Sequence, residues 1–267
     1  PDVALNVLYM KTDWKAPNGR ILRVDLKDPS QEKWREIIPE SDATIVGFSA
    51  ASGREFVNFL KEVRSSVKVF TKDGQYLREI TLPAIGSVDG VSGQWKNREV
   101  FFSFSSFLIP TTIYRYDSTT GVQEVWTQTK IPFDASRFEV TQVWYNSKDQ
   151  TRVPMFLVHS KNLRRDGKNP ALLTGYGGFM QSQTPGFSPL AAYWVERGGI
   201  YALPNLRGGG EFGETWHQAG MLGKKQNVFD DFTAAAESLI KQNYTDPSKL
   251  AISGGSNPSK WMPSFDI

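Results

Sequence analysis

Over roughly the first 130 residues, apolar and polar positions alternate in short runs broken by Gly, Pro, Asn and Asp, a period of two that predicts β-strands. Three of these runs, Ile21-Leu-Arg-Val-Asp25, Val67-Lys-Val-Phe-Thr71 and Ile113-Tyr-Arg-Tyr-Asp117, begin 46 residues apart. Each leads through a polar turn into a second strand-like run: Trp34 to Ile38, Tyr76 to Leu82 and Val122 to Thr127. A period of this length, with two outer strands per unit, falls in the range of β-propeller blades. On periodicity alone, three hairpins of an all-β sandwich are the alternative.

From about Phe138 the rhythm changes. Phe138 to Tyr145 and Arg152 to His159 read as a hairpin across Asn146-Ser147-Lys148-Asp149, and Ala171 to Thr174 as a buried strand. Ala191 to Arg197 predicts a helix ended by Gly198-Gly199, followed by a strand at Ile200 to Leu203. The clearest helix spans Asn227 to Asn243, where Phe229, Phe232, Ala236, Leu239 and Ile240 recur at three- and four-residue steps. Tyr244-Thr245-Asp246-Pro247 stops it before a last strand, Leu250 to Ser253. Alternating strands and helices predict a mostly parallel sheet in an α/β layer. In such sheets ligands bind at the carboxyl ends of the strands, and the glycine clusters at 175–178, 208–210 and 254–255 all fall there.

Composition narrows the chemistry. A chain of 267 residues, 39% hydrophobic, can bury a core in one large or two medium domains. Lys plus Arg number 31 against 28 Asp plus Glu, too even a balance for a nucleic-acid footprint. With no cysteine, a disulfide framework, a thiol nucleophile and cysteine-ligated zinc are excluded. His159 and His217 are the only histidines, too few for a multi-histidine metal site, and no cofactor is expected. No apolar stretch approaches the ~18 residues of a membrane span. No export signal is visible, so the expected location is cytoplasmic, a periplasmic or secreted one staying open because the chain begins at Pro1.

Two glycine-rich strings compete for a chemical reading. Gly208-Gly-Gly210-Glu-Phe-Gly213 matches the dinucleotide pattern Gly-x-Gly-x-x-Gly. That fingerprint requires a helix opening from the loop and an acidic residue about 20 positions on, at the end of a following strand. Here Thr215-Trp216-His217 follow and position 230 lies in the amphipathic helix, so a packed glycine loop is the better reading. The second string is Gly254-Gly-Ser-Asn257, directly after the strand Leu250 to Ser253. A serine on a sharp strand-to-helix turn between glycines is the setting of a hydrolase nucleophile. Gly254 and Ser256 fill two fixed positions of Gly-x-Ser-x-Gly, but Pro258 occupies the third, and the string is also ordinary turn composition. Gly175-Tyr-Gly-Gly-Phe179 lies where an oxyanion donor is expected after a hydrolase strand.

Taken in order and spacing, Gly175-Tyr-Gly-Gly-Phe179, Asn205-Leu-Arg-Gly-Gly-Gly-Glu-Phe-Gly213, Glu214-Thr-Trp-His217, Lys225-Gln-Asn-Val-Phe-Asp-Asp-Phe232 and Gly254-Gly-Ser-Asn257 resemble the peptidase domain of the prolyl oligopeptidase family. Gly86-Ser-Val-Asp-Gly90, Phe104-Ser-Ser-Phe107 and Tyr145 to Met155 resemble the last propeller blades and the re-entry into the hydrolase domain. The resemblance implies β-propeller blades over residues 1–133, then a partial α/β-hydrolase domain over 134–267. It further implies a serine endopeptidase, monomeric, that cleaves short peptides on the carboxyl side of proline. Ser256 would be the nucleophile, the Asn257 N–H and the Tyr176 hydroxyl the oxyanion hole, and Phe179 part of the proline pocket. Without the motif, Tyr176 and Phe179 would read as core aromatics.

In this family the triad Asp and His follow the serine, yet no histidine follows Ser256 and Asp266 is the only later acid. The chain alone is therefore expected to be inactive, as a truncation, frameshift or fragment would be. His217 and His159 are expected to be structural. Pro258 and Pro263 also depart from the apolar helix that the family places after the serine. The alternatives are an acylaminoacyl-type peptidase or esterase of the same fold, or a non-catalytic propeller interaction module.

Overall fold

The computed structural model describes residues 1–254; Ser256, Asn257, Pro258 and the rest of the tail lie outside the described residues. The chain forms two compact units, one of Pro1–Ser106 with Pro110–Lys130, the other of Phe107–Ile109 with the chain from Ile131 onward.

The first unit holds three four-stranded sheets, each built of consecutive strands. They are β1 Asp2–Ala4, β2 Val7–Thr12, β3 Arg20–Asp25 and β4 Arg35–Ile38; β5 Thr44–Ala51, β6 Arg54–Lys61, β7 Arg64–Thr71 and β8 Tyr76–Glu79; and β9 Ser87–Gly93, β10 Glu99–Ser106, β11 Ile109–Asp117 and β12 Gln123–Gln128. The alternating runs of the sequence are the outer strands of each sheet, β3–β4, β7–β8 and β11–β12. Inner strands such as β6 are buried at six successive positions, so they carry no period of two. Ile21 and Ile38 of the first sheet and Ile45, Val57, Phe59 and Phe70 of the second share one core cluster.

The outer turns join neighbouring sheets. Gly74, at φ +87°, has no room for a side chain, since a Cβ would lie 2.0 Å from the Ile37 carbonyl oxygen of β4. In the third sheet the corresponding turn is shaped by Asp117, whose Oδ1 accepts from Thr119 N and Thr120 N, and Gly121 turns it at φ +79°. Arg78 of β8 donates to the Ser118 and Thr119 carbonyls of that turn at 3.1 and 3.2 Å. Glu55 of β6 is fully buried and neither carboxylate oxygen has a hydrogen-bond partner. Burial and the nearby Asp2 carboxylate push its pKa up to about 8.

The second unit is a five-stranded sheet with helices. Its strands β13 Phe138–Asn146, β14 Arg152–Ser160, β15 Ala171–Thr174, β16 Ile200–Pro204 and β17 Leu250–Ser253 lie in the order β13-β14-β16-β15-β17. The parallel part expected from the sequence is β16-β15-β17, while the hairpin β13–β14 adds two antiparallel pairings, making the described sheet mixed. Helix α1, Pro189–Glu196, starts with proline in its first turn and the Ser188 hydroxyl accepting from Ala191 N. A six-residue helix α2, Gly213–Gln218, opens directly after the second glycine loop. That corrects one ground for rejecting a dinucleotide site. The other ground stands, because the next long element is a helix, α3 Gln226–Lys241, and the next strand begins only at Leu250.

Helix α3 buries Val228, Asp231, Phe232, Ala235, Ala236 and Leu239, one face at three- and four-residue spacing. That face packs on Met155, Leu157, Leu173 and Ala202 of the sheet. Positions of the opposite parity serve the other face, where the Phe107 ring lies 5.6 Å from Phe156 and 6.0 Å from Tyr201. Covered on both faces, β14 and β16 are continuous apolar runs.

Candidate active site

The order β16-β15-β17 contains a reversal. From β15 the chain crosses through α1 to β16 on one side, then through α3 to β17 on the other. A crevice opens at such a switch point, beyond the carboxyl ends of the strands. Thr174 and Ser253 are register partners at the ends of β15 and β17, so Gly175-Tyr176 and Gly254 leave the sheet side by side. The loop that begins at Asn205 leaves β16 beside them.

These loops pack closely on one another and on α3. A Cβ on Gly175 would sit 3.0 Å from Leu206 Cδ1, and one on Gly177 2.4 Å from Val228 Cγ1 and 2.8 Å from Leu206 Cβ. Gly177 also turns at φ +60°, the left-handed region. Lys225, just before α3, donates from Nζ to the Gly177 carbonyl at 2.7 Å. Gly208 N donates to Trp216 O, and Met180 N to Gly208 O at 3.1 Å. His217 Nδ1 lies 2.8 Å from the same Gly208 carbonyl and 3.2 Å from Met180 N, so the imidazole sits between a backbone acceptor and a backbone donor. His159 Nδ1 lies 2.9 Å from Ser160 O.

Tyr176 is half-buried in the loop after β15. Phe179 is 73% exposed. It and Met180 both have left-handed backbones, φ +51° and +56°, which for side-chain-bearing residues costs on the order of 1–2 kcal/mol each. Ser256 and Asn257 follow Gly254 outside the described residues.

Two charged clusters brace the crevice. Arg207 is 4% exposed, and its guanidinium binds both oxygens of the fully buried Asp231 as well as Asp149 and the Thr151 hydroxyl. Burial opposes the guanidinium charge, but the two carboxylates outweigh it and raise its pKa further. The Arg207 hydrogen bond holds Asp149 down at about 2. Tyr145 donates from its hydroxyl to Asp231 O at 2.8 Å. In the second cluster, the buried Glu211 accepts from Gln183 N at 2.8 Å, and the Asn205 amide donates to Gln183 O at 2.7 Å. Burial pushes the Glu211 pKa up to about 7, against the pull of those hydrogen bonds.

Arg207, Asp231, Glu211, Asn205 and Lys225 escaped the sequence reading as site residues, although their motifs were singled out. The readable signal was Asp231, an acid on the apolar stripe of α3, since a charge there implies a buried partner. Among the described residues no group of three or more His, Cys, Asp or Glu is placed to hold a metal ion, and no helix is long and apolar enough to cross a membrane.

Comparison with known proteins bears on the same segments. A family profile described as the prolyl oligopeptidase N-terminal beta-propeller domain matches residues 2–129, and one described as the prolyl oligopeptidase family matches residues 185–257. A prolyl endopeptidase of Elizabethkingia meningoseptica is 40% identical over 252 residues, covering 94% of this chain and 36% of its own length. The dual function macrocyclase-peptidase POPB of Amanita bisporigera is 40% identical over 259 residues, covering 94% and 35%. A chain from a structural study of two prolyl endopeptidases superposes with a TM-score of 0.92 at 44% identity, over 96% of this chain and 38% of that one. Prolyl oligopeptidase B from Galerina marginata, bound to a 35mer hydrolysis and macrocyclization substrate, gives 0.88 at 37% identity, over 96% and 36%. The chain thus spans little more than a third of the length of these relatives.

Proposed function

The chain belongs to the prolyl oligopeptidase family, and from that premise we propose that it supplies propeller blades and the nucleophile half of a serine peptidase that cleaves short peptides after proline. The observation that carries the reading is the pairing of β15 with β17, which brings the Tyr176 loop and the approach to Ser256 out of the sheet together. In this reading Ser256 Oγ attacks the carbonyl carbon on the proline side of the scissile bond. The oxygen that becomes negative would accept from the Tyr176 hydroxyl and the Asn257 N–H. Phe179 offers an apolar face to the proline ring.

The serine proton needs a base. In this family the base follows the serine, and no histidine follows Ser256 in the sequence. Neither His159 nor His217 is assigned that part. Accordingly, the purified chain alone is expected to show negligible turnover of a Gly-Pro fluorogenic peptide. Continuing the chain after Asn257 with the corresponding remainder of the Elizabethkingia enzyme is expected to give hydrolysis after proline. That activity should vanish in Ser256→Ala and fall about 10²–10³-fold in kcat in Tyr176→Phe, the loss of one oxyanion donor. Hydrolysis by the chimera that survives Ser256→Ala would overturn the assignment.

A further inference from the structure

Glu211 is 1% exposed and its carboxyl is only half satisfied: Oε1 accepts from Gln183 N at 2.8 Å, while Oε2 has no partner. Beside it, Asn205 Nδ2 donates to Gln183 O at 2.7 Å and lies 3.4 Å from Glu211 Oε1, yet Asn205 Oδ1 also has no donor. The two residues grip both backbone groups of Gln183. One turn earlier, Met180 N is bound to Gly208 O, and Gly210 packs so closely that a Cβ there would sit 2.7 Å from Met180 O. Residues 179–183 are therefore pinned at two points, with the left-handed, exposed Phe179 at their start.

We infer that Glu211 is a positioning residue, whose buried carboxyl holds the 179–183 segment and through it sets how Phe179 meets a proline-containing peptide. The inference rests on the peptidase reading above. A proton on Oε2 converts one of these two acceptors into a donor. The groups that bear on Glu211 are neutral: the Gln183 N–H, its own N–H and the Asn205 amide. No nearby cation compensates its ionised form in that set, consistent with the carboxyl being pushed up to about 7. The clamp is whole below pH 4.5, weakens as pH rises, and has lost this contribution once pH passes about 7.

The test is amide hydrogen exchange at Gln183, corrected for the intrinsic pH dependence, together with binding of a fluorescent N-blocked Gly-Pro peptide to the full chain. Between pH 6 and 8.5 the wild-type chain is expected to lose about tenfold in Gln183 protection and about tenfold in peptide affinity. Glu211→Gln, which keeps the Oε1 acceptor, should hold both flat across that range. Glu211→Ala should have lost both at either pH. Unchanged Gln183 exchange in Glu211→Ala overturns the inference, as does a Glu211→Gln profile that still titrates like wild type; should the alanine variant not fold, the glutamine comparison decides alone. Failure of the wild-type chain to bind the peptide at pH 6 counts against the peptidase reading and with it the role in substrate presentation, whereas the exchange data judge the clamp separately.

Discussion

At the scale of single residues, the crevice depends on groups that cannot be exchanged without leaving something buried and unmatched. Arg207→Met would strip the fully buried Asp231 of its cation, and a buried carboxylate left alone costs about 3–5 kcal/mol. A loss of unfolding free energy of that size in urea titration, largely restored when Asp231→Asn is added, is the expected result. Gly177→Ala combines left-handed backbone with a Cβ 2.4 Å from Val228 Cγ1, so a loss of about 2–4 kcal/mol is expected from overpacking and backbone strain together. Such contacts were not readable in the chain. Arg207 meets Asp149 and Asp231 across 58 and 24 positions of sequence, and the motif shows that an arginine is present without showing what it holds. The glycines were readable because a glycine cluster at a strand end needs no distant partner to be noticed.

At the scale of elements, β6 carries a carboxyl that its surroundings keep neutral. Glu55 in the folded state titrates near 8, against an ordinary 4.5. Its contribution to stability is therefore whole below pH 4.5, declines as pH rises, and is gone once pH passes about 8. Thermal midpoints followed from pH 5 to 8.5 should fall in wild type and fall less steeply in Glu55→Gln; equal slopes would remove Glu55 as the cause. Helix α3 gives the counterpart in apolar terms: Phe232 is fully buried, and Phe232→Ala should cost about 3–5 kcal/mol. Phe232 was named from periodicity, as were the hairpin β13–β14 and the outer strands of the three sheets. Periodicity fails where both faces are covered, which hid β6, and it does not show which strands are neighbours, which hid the antiparallel pairing of β14 with β16. Short α2 was missed because six residues hold less than two turns of pattern.

At the scale of the whole chain, each unit has its own core, so the two sets of substitutions report on different parts of the molecule. Hydrogen exchange is expected to place the effect of Glu55→Gln in the three four-stranded sheets and that of Phe232→Ala in the five-stranded one, and the double variant should be additive within about 0.5 kcal/mol. The turn that seats Gly74 against Ile37, and the one that presents the Ser118 and Thr119 carbonyls to Arg78, both face backward along the chain. The outer turns of the second and third sheets each dock on a strand already synthesised. A polypeptide leaving the ribosome would meet every one of these docking surfaces before the turn that needs it, so these sheets can assemble in the direction of translation.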